Sequence, residues 1–277
     1  MPCASKIVVF DLDETLGYYT ELGMFWDTLK EYLTSIKSDK ILNQSDFNKI
    51  LDLYPEFNRP NIINILNYLK QKKKANHCHK LMIYTNNQGP LEWAKMLIQY
   101  FEDKMKYKLF DQIIAAFKVQ GKQVEIYRTS HSKTHKDLLK CSKIPEDTQI
   151  CFLDDVYYPG MSHDNVYYIN LKPYEYNLKF DVMIQRFIDS AIISDLPTSC
   201  NKYLLDSLNQ FAYTYVGKTT QDNAVDKIVS KKVLQHLHTF FNKHTPDMTR
   251  RKKNNKNKIK NKTVKNKTVK NKTVKNN

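Results

Sequence analysis

Ten residues near the start of the chain read Val8-Val9-Phe10-Asp11-Leu12-Asp13-Glu14-Thr15-Leu16-Gly17. An apolar run with the length of one buried strand ends here in two carboxylates that are one residue apart. Side chains of a strand alternate between its faces, so Asp11 and Asp13 are expected on the same face. Two like charges this close repel, and at least one should have a raised pKa unless a cation lies between them. The stretch therefore predicts a strand that ends in a divalent-metal site.

Short apolar runs alternate with amphipathic stretches in the following 160 residues. Runs typical of strands lie at 6–12, 80–84, 110–117, 150–153 and 166–169, and helical spacing is found at 24–36, 45–54, 91–104 and 132–141. A further helix is predicted to begin at Arg59-Pro60, because proline suits the first helical turn. Strands that alternate with helices favour an α/β fold with a central parallel sheet and helices on both faces.

Three of the predicted strands end in polar residues. Asp11 and Asp13 end the first, Thr85 and Asn86 follow the second, and Asp154-Asp155 ends the fourth. Ligands of parallel α/β sheets bind outside the carboxyl ends of the strands. We therefore expect these side chains to converge on one site.

The C-terminal third changes in character after Pro173, where apolar stripes at helical spacing replace the alternation of strands and helices. We expect a main domain over residues 1–195 and a helical extension over 196–248, which either packs on the sheet or forms a small subdomain. Residues 249–277 contain 13 Lys or Arg, no Asp or Glu, and a repeated Thr-Val-Lys-Asn-Lys. This segment is predicted to be disordered. It is interpreted as a nuclear-import or nucleic-acid-binding element, or as solubilising low-complexity sequence.

Charge and cysteine content indicate the compartment. The formal net charge of +15 comes almost entirely from the basic tail, so the rest of the chain is nearly neutral. Five cysteines without a C-x-x-C pair suit a reducing compartment. Neither a signal peptide nor an apolar run of transmembrane length is visible. We expect an intracellular protein, cytoplasmic or nuclear, that does not associate with a membrane.

The order of the polar clusters resembles the four motifs of the haloacid dehalogenase (HAD) superfamily of phosphohydrolases. The motifs are Asp11-x-Asp13-x-Thr15, Thr85, a lysine ahead of the fourth strand, and Asp154-Asp155, and the resemblance spans residues 6–172. Residues 10–16, followed by Arg59-Pro60, are similar to the branch of carboxy-terminal-domain and NLI-interacting-factor-like phosphatases, with similar sequences in large DNA viruses. The resemblance implies a Rossmannoid three-layer sandwich with a small flap or helical insertion at about 17–58.

The resemblance also implies roles for the motif residues. Asp11 would attack phosphorus and form an aspartyl-phosphate, and Asp13 would serve as general acid and base. Mg²⁺ would be held by the Asp11 carboxylate, the backbone carbonyl of Asp13, and Asp154, with Asp155 supporting these ligands or acting through water. Thr15, the Thr85 hydroxyl and the backbone N–H of Asn86 are expected to bind the phosphorylated substrate.

Two lysines compete for the third motif in Ser132-Lys133-Thr134-His135-Lys136-Asp137. With Ser132 as the N-cap, Lys133 would lie in the first helical turn, where superfamily members usually place this lysine. Lys136 is followed by Asp-Leu, as in the carboxy-terminal-domain phosphatases. Both lysines therefore remain candidates.

One departure from the better-studied branch concerns the substrate. Leu16 is followed by Gly17-Tyr18-Tyr19-Thr20, whereas close relatives have Val-His, so the residues that face the substrate here should differ. The insertion is too short for a large cap, which predicts an open site for a phosphoprotein. The alternatives are a catalytically weak HAD-fold protein whose basic tail binds nucleic acid or an acidic partner, and a phosphatase of nucleic-acid ends or small metabolites.

Overall fold

The computed structural model describes residues 5–194, 196–211 and 214–242. The tail of residues 249–277, which was predicted to be disordered, lies outside the described residues. The described part contains seven strands: β1 Lys6–Phe10, β2 Lys80–Tyr84, β3 Gln112–Ile114, β4 Lys118–Val119, β5 Lys122–Gln123, β6 Gln149–Asp154 and β7 Val166–Asn170. It also contains eight α-helices: α1 Thr20–Ser35, α2 Gln44–Asp52, α3 Ile62–Lys74, α4 Leu91–Met105, α5 His135–Ser142, α6 Phe180–Ser190, α7 Ser199–Leu208 and α8 Thr220–Asn242.

The central sheet has five parallel strands in the order β3-β2-β1-β6-β7. The chain builds outward from β1 through β2 to β3, and then returns to the other side of β1 for β6 and β7. The strand order therefore reverses at β1, which creates the crevice where open α/β sheets bind ligands. The predicted α/β class with a central parallel sheet is confirmed.

Both faces of the sheet are covered. Val8 and Phe10 point into a large core cluster, whereas Ile7 and Val9 point into a smaller one that includes Leu138 of α5. Alternate residues of β1 thus enter opposite cores, which is why its sequence is apolar throughout. The other strands of the sheet and the helices that flank it supply most of the rest of these two cores.

The helices inserted after β1 and the helices that follow the sheet join the larger core. Helices α1 and α2 lie between β1 and β2, where Phe25 and Phe47 are fully buried. Leu204 of α7 and Leu237 of α8 belong to the same cluster as Val8 of the sheet. No helix in the described part of the chain is both long and apolar enough to cross a membrane.

Several predicted boundaries are wrong. Strand β1 ends at Phe10, two residues early, and the eight-residue run at 110–117 contributes only the three residues of β3. Helix α3 begins at Ile62 behind Asn61, which has a left-handed φ of 64°, so Pro60 lies ahead of the helix instead of in its first turn. The antiparallel hairpin of β4 and β5 was not predicted.

Candidate active site

Three adjacent strands bring their carboxyl ends together. Asp11 follows β1, and its backbone N–H donates to the carbonyl of Leu153 in β6 at 2.8 Å. Thr85 follows β2, and its N–H donates to the carbonyl of Ile114 in β3 at 3.0 Å. Asp154 is the last residue of β6. Backbone hydrogen bonds therefore fix all three positions at one edge of the sheet, and all three residues are buried.

Lys133 connects two of these strand ends. Its Nζ donates to Asp11 Oδ1 at 2.5 Å and to Asp154 Oδ2 at 2.6 Å, and the residue is 1% exposed. Lys136 is exposed in the first turn of α5. The structure therefore brings Lys133 to the site and not Lys136.

The predicted N-cap of α5 is wrong. The cap is Thr134, whose side-chain oxygen accepts from the backbone N–H of Asp137 at 3.0 Å, and not Ser132. Lys133 therefore lies just before the helix instead of in its first turn. Both hydroxyl residues are good N-caps, and the two-residue shift lets Lys133 point into the sheet edge.

The charges in this cluster do not balance, because two buried carboxylates share one ammonium. Burial raises the pKa of Asp11 to about 8, since the nearby charge of Lys133 offsets only part of the desolvation and Asp154 adds repulsion. Burial also raises the pKa of Asp154. Burial alone would lower the pKa of Lys133, but the two carboxylates outweigh it and raise that pKa. The cluster would gain from further positive charge.

The surplus negative charge can hold a metal ion. Asp11, Asp154 and Asp155 each offer a carboxylate oxygen, and these oxygens lie within 4.8 Å of one another. Neighbours orient the acids: Thr15 Oγ1 donates to Asp155 Oδ1 at 3.1 Å, and the Val156 N–H donates to Asp154 Oδ1 at 2.9 Å. Hard oxygen ligands at this density suit Mg²⁺.

Asp13 faces a different partner. Its Oδ2 accepts from Nδ2 of Asn87 at 2.9 Å, and the residue is half-buried. Burial raises the pKa of the Asp13 carboxyl. Asn87 is itself held, because its backbone N–H donates to Thr85 Oγ1 at 2.9 Å and its Oδ1 accepts from the Gly89 N–H at 2.8 Å. The sequence analysis missed Asn87, although the polar run 85–88 in which it lies was a signal.

A buried arginine holds the loop that follows Asp13. Arg59 donates from Nε to the carbonyl of Thr15 at 2.6 Å, and from Nη2 to the carbonyls of Glu14 at 2.5 Å and Lys172 at 2.9 Å. Glu14 has a left-handed φ of 56°, an unfavourable conformation for a residue with a side chain. The sequence analysis noticed Arg59 only as the start of a helix and as part of the resemblance to a phosphatase branch. Its actual part is to fix the loop that carries Asp13 and Thr15.

Gly17 lies where the backbone passes very close to two neighbours. A Cβ at this position would lie 2.4 Å from the carbonyl oxygen of Phe57 and 2.4 Å from the ring of Tyr19. The Tyr18 N–H donates to that same carbonyl at 2.8 Å. Only glycine permits this close approach.

A second buried arginine, which the sequence analysis also missed, supports the Thr85–Asn86 turn. Arg128 is 1% exposed and donates from Nη1 to the carbonyls of Thr85 and Ala115, both at 2.9 Å. Its Nη2 donates to Asn86 Oδ1 at 2.6 Å. Nδ2 of Asn86 in turn donates to the Tyr158 hydroxyl at 2.8 Å, so this side chain has a structural part. No local pattern distinguishes Arg128 from an exposed loop arginine.

Comparison with known proteins adds no family assignment. The chain matched no protein-family model, no curated protein and no solved structure. The resemblance to the haloacid dehalogenase superfamily therefore stays a prediction. What the site can do has to be argued from its own residues.

Proposed function

We propose that this protein is a Mg²⁺-dependent phosphatase of the HAD type, which forms an aspartyl-phosphate on Asp11 and acts on phosphoproteins. The observation that carries the proposal is the buried cluster in which Lys133 binds both Asp11 and Asp154. Burying three charged groups costs free energy of folding, so a protein that keeps such a cluster is expected to use it. The central parallel sheet and the helical insertion after β1 support the finer assignment to an HAD-like three-layer sandwich.

Phosphoryl transfer requires a nucleophile, charge neutralisation and a proton for the leaving group. A carboxylate oxygen of Asp11 forms a bond to phosphorus while the bond to the leaving oxygen breaks. The raised pKa of Asp13 favours its protonated form, which gives its proton to the leaving oxygen. In the second step Asp13 takes a proton from water, whose oxygen attacks phosphorus and releases Asp11 and inorganic phosphate.

Three carboxylates are suited to hold the metal. Asp11, Asp154 and Asp155 fit Mg²⁺ by their chemistry and mutual distances, and the superfamily adds the backbone carbonyl of Asp13. When bound, Mg²⁺ supplies positive charge beside the phosphoryl oxygens. Lys133 adds a buried ammonium, and Thr85 contributes a hydroxyl at the same strand edge.

A macromolecular substrate is favoured by the size of the insertion. Only two helices, α1 and α2, and a single 3₁₀ turn at Pro55–Phe57 lie between β1 and α3. This is too little chain for a large cap domain. The alternative of a binding module depends on the tail, which lies outside the described residues, whereas the buried charge cluster supports catalysis.

The test is an Asp11→Asn substitution, assayed with p-nitrophenyl phosphate and Mg²⁺. We expect turnover to fall by about 10⁴-fold or more, because an amide is not a nucleophile for phosphorus. Asp39→Asn, which changes an exposed acid, is the matched control and should retain full activity. Acid-quenched wild-type protein should carry a hydroxylamine-sensitive phosphate that the Asp11 variant lacks. Normal turnover by Asp11→Asn would exclude the mechanism.

A further inference from the structure

A cleft of about 410 Å³ adjoins Asp13. Asp13 and Asn87 form part of its lining, and the remainder comes mainly from the start of α1 and from residues 88–96. Its apolar lining comes from Pro90 and from aromatic and methionine side chains: Tyr19, Met24, Trp26, Trp93 and Met96. Tyr19 and Trp26 are buried and Trp93 is half-buried, so Trp93 is the main aromatic surface that the cleft offers beside the proposed proton donor.

The aromatic lining is held rigidly from behind. Phe47 of α2 is fully buried and contacts both tryptophans edge-on. Its ring centroid lies 5.3 Å from that of Trp26 and 5.5 Å from that of Trp93, with interplanar angles of 90° and 88°. Such edge-to-face pairs fix ring orientation. The cleft is thus preformed for a flat apolar group.

The charges at the cleft disfavour anionic groups. Among its described lining residues the one cation is Lys30, which pairs with Asp27 at 2.6 Å. Asp13 and Glu92 add carboxyl groups, and Glu92 pairs with Lys95 at 3.5 Å. The described lining residues therefore offer a second phosphate no cation that is not already paired with a carboxylate. The cleft suits an uncharged aromatic ring instead.

We propose, on the basis of the proposed function, that this cleft binds the ring of phosphotyrosine, which makes the protein a phosphotyrosine phosphatase. Because Asp13 protonates the leaving oxygen, the leaving group has to lie beside Asp13, and the cleft provides this space. The bond from Asp11 to phosphorus forms, the bond to the phenolic oxygen breaks, and that oxygen takes the proton of Asp13. Phosphoserine has a single carbon between this oxygen and the peptide backbone, so it leaves the cleft unfilled.

The experiment compares two peptides that differ only in phosphotyrosine or phosphoserine, with full-length protein and Mg²⁺. We expect kcat/KM to be at least about tenfold higher for phosphotyrosine, because burial of an aromatic ring is worth at least this factor. Trp93→Ala should raise KM for the phosphotyrosine peptide about tenfold and change the phosphoserine values much less. Phe211→Ala, which removes an exposed ring on the segment after α7, is the control and should change neither.

A second variant, Gly23→Leu, keeps the test decisive if Trp93→Ala does not fold. In Gly23→Leu the new Cβ would lie 3.6 Å from Trp93, an ordinary contact, and the rest of the side chain would occupy the cleft. We expect it to remove the preference for phosphotyrosine.

The other possible results of these assays distinguish failure of the phosphotyrosine inference from failure of the proposed function. Equal kcat/KM for the two peptides, a preference that both variants retain, or hydrolysis of p-nitrophenyl phosphate without hydrolysis of the phosphotyrosine peptide would overturn the inference and leave the proposed function standing. Failure to hydrolyse any of the three substrates would overturn the proposed function itself.

Discussion

Lysines have opposite surroundings at the amino ends and at the carboxyl ends of the parallel strands, which form the amino edge and the carboxyl edge of the sheet. At the amino edge, Lys6 and Lys80 begin β1 and β2, and their ammonium groups donate to helix C-terminal carbonyls: Lys6 to Phe240 at 2.9 Å, and Lys80 to Ser142 at 3.2 Å. Both lysines are half-buried. At the carboxyl edge, Lys133 is almost fully buried between two carboxylates.

This contrast distinguishes lysines that stabilise helix ends from the lysine of the proposed active site. A lysine at a helix C-terminus satisfies carbonyl groups and keeps much of its contact with water, so it costs little. A lysine buried with two acids loses its hydration, and its single charge can balance only one of the two acids when both are ionised. The second arrangement is stable enough to persist only because the surrounding fold holds it, and it supports the proposed function because such groups cluster at functional sites.

Lys133→Ala should give the largest effect on the fold. It leaves Asp11 and Asp154 buried without a cation, and loss of one partner from a buried pair costs about 3–5 kcal/mol. We expect urea denaturation in EDTA at neutral pH to show a loss of this size. Turnover should also fall about 10²–10³-fold, because one preorganised charge is lost. A loss below about 1 kcal/mol would mean that Lys133 is not buried as described.

The next largest effect is the pH dependence of the folding stability of the metal-free protein. The pKa of Asp11 is about 8 in the folded state and lies near 4 when unfolded. Between these values the folded state holds the proton and the unfolded state releases it, so the contribution of Asp11 to stability falls as pH rises from about 4 to about 8.

Asp11→Asn removes this dependence. We expect the variant to gain stability over wild type as pH rises from 5 to 8 in EDTA, by a few kcal/mol in order of magnitude. Urea denaturation at several pH values measures it. A constant difference between the two proteins would show that Asp11 does not titrate in this range.

Removal of the metal should change the stability of the wild-type protein by about as much as the pH-dependent effect of Asp11→Asn, or by less. With Mg²⁺ at about a hundredfold its Kd, binding stabilises the folded state by about 2.7 kcal/mol, which a chelator removes. EDTA should therefore lower the melting temperature and stop turnover. Asp154→Asn is the matched variant whose melting should respond little to Mg²⁺. Unchanged melting and activity in EDTA would rule out the metal site.

The smallest effect is expected at the amino edge. Lys80→Met removes the hydrogen bond to the Ser142 carbonyl and keeps most of the apolar stem. We expect a loss of about 0.5–1.5 kcal/mol in urea denaturation, and no change in turnover. An activity loss similar to that of Lys133→Ala would remove the distinction between the two edges.

The fold was largely predictable because its signals are local. Strands β1, β2 and β6 are short apolar runs, and a strand buried on both faces has little other sequence choice. Asp11, Thr85 and Asp154 were found for the same reason, since each follows such a run directly. Their meeting then follows from the rule that parallel strands end at one edge.

The supporting residues could not be predicted, because their partners are distant in the chain. Arg128 binds the carbonyl of Thr85, 43 residues away, and Arg59 binds that of Thr15, 44 residues away. The start of α5 was misplaced because Ser132 and Thr134 are both good N-caps and serine is the more favoured of the two. The contact between Lys133 and Asp11, over a separation of 122 residues, distinguishes the two caps.

Both tryptophans of the chain, Trp26 and Trp93, line the cleft beside Asp13. Intrinsic tryptophan emission therefore originates from this one location. Quenching or a spectral shift on titration with a phosphorylated peptide would report occupancy of the cleft directly, without a label. With the inactive Asp11→Asn protein the same signal would give an equilibrium Kd, free of turnover.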